Sequence, residues 1–160
     1  MRDVVESPPV TEAYVEALSL VERLHRLLLD VVKDEFERVG VLDINAVQGL
    51  LLFNIGENVV TAGELRSRGY YQGSNVSYNL KKLVEAGYML HERCAADKRA
   101  VRVRLSESGQ GIRALIEKLF DRQAQRLNVD AIISCDRLQA LTGDMRQMER
   151  FWANQIRFIY

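Results

Sequence analysis

Tyr14, Leu18, Val21, His25, Leu28 and Val32 recur at steps of four and three, which puts them on one face of a helix predicted over residues 11–38. Gly40 stops that helix. Asp43 is placed to cap a second helix, with Val47, Leu50, Leu51 and Ile55 as its buried face and Gly56 as its end. A brief extended piece follows at Val59 and Val60. Thr61-Ala62-Gly63-Glu64 then has the T-x-x-E form of a capping box, which predicts a short third helix ending at Gly69. A fourth helix is predicted over residues 74–86, with Val76, Leu80, Leu83 and Val84 inward. Gly87 supplies the left-handed residue that ends it.

The periodicity then changes. Residues 88–94 and 101–105 read as two strands around a polar turn, and Val101-Arg102-Val103-Arg104-Leu105 alternates strictly between apolar and basic positions. Ser106 and Gly109 introduce a helix over residues 111–127, with Ile112, Leu115, Ile116, Leu119 and Phe120 inward. The last helix begins near Cys135, and Leu138, Leu141, Met145, Met148, Trp152 and Ile159 follow the 3.5-residue period of helices packed along a seam. An apolar seam of this kind, ending in Phe158-Ile159-Tyr160, is costly if left uncovered. With the long first helix it predicts a dimer that buries Leu18, Val21, Leu138, Leu141, Met145, Met148, Trp152, Ile156 and Ile159.

At 160 residues and 18.3 kDa the chain is expected to be a single domain with appended helices. Hydrophobic residues at 48% and charged residues at 28% fill a core and exclude a disordered tail. Two prolines leave no proline-rich linker, and two cysteines make no disulfide scaffold. The first residues lack the apolar stretch of a signal peptide, and no apolar run approaches the ~20 residues of a membrane span. A cytoplasmic protein with no membrane partner is expected, its Cys94 and Cys135 reduced.

The net charge is zero, from 22 basic and 22 acidic residues, which at face value argues against a nucleic-acid partner. Position changes that reading. Residues 1–60 carry 5 basic and 11 acidic side chains (−6), residues 61–104 carry 9 and 4 (+5), and residues 105–160 carry 8 and 7 (+1). A basic middle between an acidic front and a neutral tail points to a localised anionic partner.

Helix, helix, short helix, helix and hairpin is the order of a winged helix-turn-helix. With Val76 at zero and about 100° per residue, Leu80 and Leu83 stay within about 40° of it. Ser74, Lys81, Tyr78, Lys82 and Asn75 fall between about 140° and 260°, so the outward face is polar and basic. Such a face donates to phosphates and reads base edges, and Ser77 joins the set. In isolation an ordinary solvated amphipathic helix is the preferred reading of it. The hairpin tip, Asp97-Lys98-Arg99, flanked by Arg93, Arg102 and Arg104, adds arginines on a narrow turn, a form that enters the minor groove.

Residues 80–109 resemble the winged helix of the MarR family of bacterial transcriptional regulators. The matching features are Leu83 and Gly87 at the helix end, Arg93, the D-x-R of Asp97 and Arg99, and the closing Leu105-Ser106-x-x-Gly109. The resemblance extends over most of the chain, because long flanking helices are that family's dimerisation region. It implies a fold that is mainly α with a small β-hairpin wing (α+β), spanning residues 1–160. Residues 41–109 would form the DNA-binding lobe, and 11–40 and 110–160 the dimerisation helices. It further implies a homodimer on a pseudo-palindromic double-stranded DNA operator, recognition helices in successive major grooves and wing tips in the minor groove. Arg99 would contact the minor groove and Asp97 would help hold the wing. The DNA-binding set expected is Arg66, Ser74, Asn75, Ser77, Tyr78, Lys81, Lys82, Arg93, Asp97, Lys98 and Arg99. One departure is the turn Gly69-Tyr70-Tyr71-Gln72-Gly73, aromatic and glycine-rich where the family is often simply polar.

The resemblance also implies a small, often aromatic effector between the dimerisation helices and the DNA-binding lobe. His25, Phe53 and Tyr70 are candidates for its cavity, since an apolar pocket needs a few polar anchors; each is also an ordinary core residue type. Catalysis is not expected. His91-Glu92-Arg93-Cys94 has Ala95 where the second histidine of H-E-x-x-H would stand, and no nucleophile elbow or phosphate-binding glycine motif occurs. Neither a cofactor nor a metal is expected. A constitutive architectural DNA-binding protein and a winged-helix protein-interaction module remain as alternatives, and a redox role for Cys94 or Cys135 stays open.

Overall fold

The computed structural model describes residues 9–67, 73–93 and 101–159, and of residues 66, 67, 73, 74, 93, 101 and 157–159 the backbone alone. In chain order the elements are α1 (Val10–Val39), α2 (Ala46–Ile55), β1 (Val60–Thr61), α3 (Ala62–Ser67), α4 (Gly73–Glu85), β2 (Met89–Arg93), β3 (Val101–Leu105), α5 (Glu107–Val129) and α6 (Cys135–Ile159). The fold is mainly α with a small antiparallel sheet, as the pattern predicts. Two compact units divide it, Met1–Glu117 and Lys118–Tyr160.

In the first unit α1 ends where Gly40 takes a left-handed conformation and the amides of Gly40 and Val41 bond back to Glu37 and Phe36. Near that end Val32, Glu35 and Phe36 are buried, and Arg38 neutralises Glu35 through two hydrogen bonds of 2.8 and 2.9 Å. Much of the rest of α1 is exposed, including Val15, Leu24 and Leu27.

Helix α2 is the centre of this unit, and two expectations about it need correction. Its cap is Asn45 rather than Asp43: the Asn45 side chain accepts from the Gln48 amide at 2.9 Å, and the Gln48 side chain accepts from the Asn45 amide at 3.0 Å. Nor does it bury a single face. Ala46, Gln48, Gly49, Leu50, Leu51, Leu52 and Ile55 are all buried, whereas Val47 is only half-buried. Gly49 marks a close approach of three helices: a Cβ there would strike the Phe36 ring of α1 and lie 3.3 Å from the Ile116 side chain of α5.

The hairpin gains a third strand. The sheet order is β1-β3-β2, with Val60 opposite Val103 and Met89 opposite Leu105. Val60, Met89, Val103 and Leu105 are buried on one face; Leu90, Glu92, Arg102 and Arg104 are exposed. Helix α5 begins at Glu107, four residues before the predicted start, because the Ser106 hydroxyl caps it by accepting from the Gly109 amide at 3.2 Å.

In the second unit the end of α5 turns through Ala131, which holds a left-handed φ of 52° without being glycine. The Ser134 hydroxyl accepts from the Arg137 amide and starts α6. On α6, Leu138, Leu141, Met145, Phe151 and Ile156 are exposed, and Met148 and Trp152 are half-buried.

Candidate nucleic-acid interface

The interface is built on α4. Val76 and Leu83 are fully buried and Leu80 nearly so, while Val84 is half-buried. These residues clamp one side of the helix against the unit. Asn75, Ser77, Tyr78, Lys81 and Lys82 are exposed, so five of the side chains expected to meet DNA share the outer surface. Tyr78 is 60% exposed, a large outlay of aromatic surface on an otherwise polar face. Lys82 lies over its ring at 5.8 Å from the centroid, a cation–π distance that stiffens both side chains.

Glu85 is the acid at the end of this face. It pairs with Lys82 at 3.6 Å and Lys81 at 3.9 Å. Exposed pairs of this kind contribute roughly 0–1 kcal/mol, so a phosphate can replace Glu85 as their counter-ion at little cost.

The C-terminus of α4 is tied to the sheet through a short hydrogen-bonded junction. Gly87 takes φ +81°, and the amides of Gly87 and Tyr88 return to the carbonyls of Val84 and Leu83. The Ser106 hydroxyl donates to the Gly87 carbonyl at 2.6 Å, and the Ser106 amide donates to the Tyr88 carbonyl at 3.0 Å. Strand β2 leaves directly from this junction. These hydrogen bonds link the end of the recognition-type helix to the root of the wing.

On the outer face of the wing, Arg104 pairs with Glu92 at 2.8 Å, and Arg102 is exposed beside them. Arg93 stands at the end of β2 opposite Val101. The tip residues Asp97, Lys98 and Arg99 lie outside the described residues, as do Cys94, Tyr70 and Tyr71. Arg66 is on α3 and Ser74 on the first turn of α4, both without a described side chain. The capping box expected for α3 is present: Thr61 and Glu64 exchange hydrogen bonds of 2.9 and 3.1 Å.

One polar contact at the root of the interface has no counterpart among the expected site residues. Asn79 of α4 and Gln48 of α2 are each 8% exposed, and the Gln48 amide donates to Asn79 Oδ1 at 3.3 Å. On the helical wheel Asn79 falls about 60° from Val76, on the buried side of α4, so the sequence places it inward without naming its partner.

Of the three effector candidates, Tyr70 lies outside the described residues. His25 is exposed on α1 and Phe53 is half-buried on α2. Two clefts of the first unit contain neither. One, about 450 Å³, lies between α1 and α2 and is lined by Leu29, Phe36, Val41, Leu42 and Ile44 among others. The other, about 370 Å³, lies between α4 and the sheet and is lined by Leu80, Val84, Val103, Lys81 and His91 among others. Among the described residues no group of three acidic, His or Cys side chains converges on a metal position, and no helix is long and apolar enough to cross a membrane.

Residues 44–109 match a family model described as a winged helix DNA-binding domain. Over 149 residues the chain is 34% identical to the exopolysaccharide II synthesis transcriptional activator ExpG of Rhizobium meliloti strain 1021, covering 91% of this chain and 74% of that protein. Among solved structures it is similar to Staphylococcus aureus MarR in complex with salicylate and kanamycin, with a TM-score of 0.72, 20% identity, and 89% and 94% of the two chains covered. It is also similar to a mutant MarR from E. coli complexed with operator DNA, with a TM-score of 0.68, 17% identity, and 88% and 98% covered. These structures establish the shared fold; the 34% relative and the matched winged-helix segment go further. The chain belongs to the MarR family of winged-helix, DNA-binding transcriptional regulators.

Proposed function

We propose that the chain acts as a cytoplasmic homodimer that binds a pseudo-palindromic operator in a sequence-specific way, through α4 in the major groove and the wing in the minor groove. The observation that carries this reading is the outer face of α4, where Asn75, Ser77, Tyr78, Lys81 and Lys82 stand exposed above a buried apolar side. Asparagine and lysine donate to base edges and phosphates, and the helix is narrow enough for the major groove. In this reading Arg93, Lys98 and Arg99 would add wing contacts to DNA, Asp97 would help hold the wing, and Arg66 and Ser74 would join the DNA-binding set.

Two apolar surfaces support the dimer. On α1, Val21, Leu24, Leu27 and Leu28 are exposed; on α6, Leu138, Leu141, Met145 and Ile156 are exposed. A single chain leaves these uncovered, and a second copy covers them. Residues 11–40 and 110–160 are accordingly the dimerisation region, and residues 41–109 the DNA-binding lobe.

A small, often aromatic effector would act by preferring one spacing of the two α4 helices, since a ligand shifts an equilibrium only by its differential affinity for the two states. The salicylate in the S. aureus relative supports that class of molecule. In this role the chain is a regulator and not an enzyme. The test is selection of fragments from genomic DNA by the purified protein. A recovered inverted repeat, bound by two chains with half-sites about 34 Å apart, is expected. Recovery of no common sequence, or of none above control, would refute the reading.

A further inference from the structure

We propose that the buried Gln48–Asn79 pair is a positioning device that sets the rotation of α4 about its own axis, so that discrimination between DNA sequences depends on it while general affinity for DNA does not. The inference rests on α4 being the base-reading helix.

The amide of Gln48 is committed at both ends. Its Oε1 accepts from the Asn45 amide at 3.0 Å, which orients the side chain within the first turn of α2. Its Nε2 is thereby directed away from α2 and donates to Asn79 Oδ1 at 3.3 Å. A three-residue relay thus runs from the N-cap of α2 to the middle of α4, with Gln48 and Asn79 both buried.

The hydrogen-bonded junction at Gly87 and Ser106 fixes only the C-terminal end of α4, and along the body of the helix the remaining contacts supply no such direction. Val76, Leu80 and Leu83 hold the helix by apolar packing, which is non-directional and tolerates small rotations. A hydrogen bond inside that packing does not tolerate them, because a turn of the helix would separate Gln48 Nε2 from Asn79 Oδ1 in a buried contact. The geometry matters at the outer face: with side chains reaching about 5–6 Å from the axis, a rotation of about 20° moves their tips by about 2 Å. That displacement breaks a base-edge hydrogen bond, whereas Lys81 and Lys82 still find phosphates along the backbone. Asn79 lies next to Tyr78 in sequence and one turn after Asn75, so it governs the residues best placed to read bases.

The experiment compares the wild-type chain with the double substitution Gln48→Met and Asn79→Leu, which keeps the contact filled and removes both polar groups. Three quantities are measured: melting temperature, affinity for a random-sequence duplex, and the ratio of affinities for the selected and random duplexes. The expected result is a melting temperature lowered by the loss of the Gln48 bond to the Asn45 amide, a random-duplex affinity close to wild type, and a ratio reduced about tenfold or more. Should the double variant not fold, Asn79→Ser, too short to reach Gln48, is expected to lower the same ratio. An unchanged ratio in a folded variant overturns this inference alone. A wild-type chain with no preference between duplexes overturns the proposed function and this inference together.

Discussion

The Tyr88 hydroxyl donates to the carboxylate of Asp43, 2.8 Å from one oxygen and 2.9 Å from the other, across 45 positions of sequence. This contact joins the loop before α2 to the junction between α4 and the wing. Burial first, then the hydrogen bond and the negative charge of Asp43, raise the pKa of Tyr88 above its ordinary value. The protonated phenol is therefore the form that the fold favours. Its contribution is present in full below about pH 10 and is lost as pH rises through the higher folded-state value. Tyr88→Phe is expected to cost about 1 kcal/mol at neutral pH, and the difference between the two proteins should shrink above about pH 10. Urea unfolding at pH 7 and at alkaline pH checks both; a difference that grows with alkalinity would contradict the assignment.

Gly109→Ala is expected to destabilise the fold. Gly109 is buried, and an added Cβ would collide with the Tyr88 carbonyl oxygen, which is backbone and also accepts from the Ser106 amide. In an exposed helix the same change would stabilise by up to about 1 kcal/mol, so a loss here reports the collision. Overpacking typically costs about 1–3 kcal/mol. A midpoint of urea unfolding at or above wild type would show that the junction yields.

Lys81→Ala and Lys82→Ala are expected to weaken duplex binding with little effect on stability, because their pairs with Glu85 are exposed. Each should reduce the slope of log affinity against log salt by about 1 if the lysine neutralises one phosphate. Arg99→Ala should weaken operator binding strongly and leave the dimer intact. Fluorescence anisotropy over a salt series reads these effects. Unchanged slopes in both lysine variants would remove α4 from the phosphate contacts.

Leu141→Asp tests the dimer. Leu141 is 47% exposed within one chain and lies on the same seam of α6 as Leu138 and Met145. A carboxylate there cannot be buried between copies without severe desolvation. Sedimentation should show a folded monomer in place of a dimer. A variant that sediments as wild type would exclude this face from the interface.

Much of this architecture was readable from local pattern. The strict alternation of residues 101–105 identifies β3 to the residue, and Thr61 with Glu64 announces the start of α3. Gly87 marks the end of α4 because its left-handed backbone suits glycine. The failures have physical causes. Asp43 and Asn45 are both good caps two positions apart, and the difference lies in Tyr88, 45 positions away from Asp43, which takes the Asp43 carboxylate. Helix α2 is so uniformly apolar that no face stands out, and it is buried on several sides. A two-residue strand such as β1 carries no periodicity, so its pairing with β3 was not visible. At the site, residue angles give the exposed face of α4 and also place Asn79 inward, about 60° from Val76. Its partner is not visible in them, because Gln48 lies 31 positions away on the facing helix.

The central claim is sequence-specific binding of DNA by the outer face of α4, and one measurement bears on it most directly. Purified chain is titrated against the selected inverted repeat and against a scrambled duplex of equal length and composition, at a series of salt concentrations. Two chains per inverted repeat, affinity falling steeply with salt, and a preference of about 10³-fold or more over the scrambled duplex are predicted. Equal affinity for the two duplexes, or binding indifferent to salt, would contradict the account.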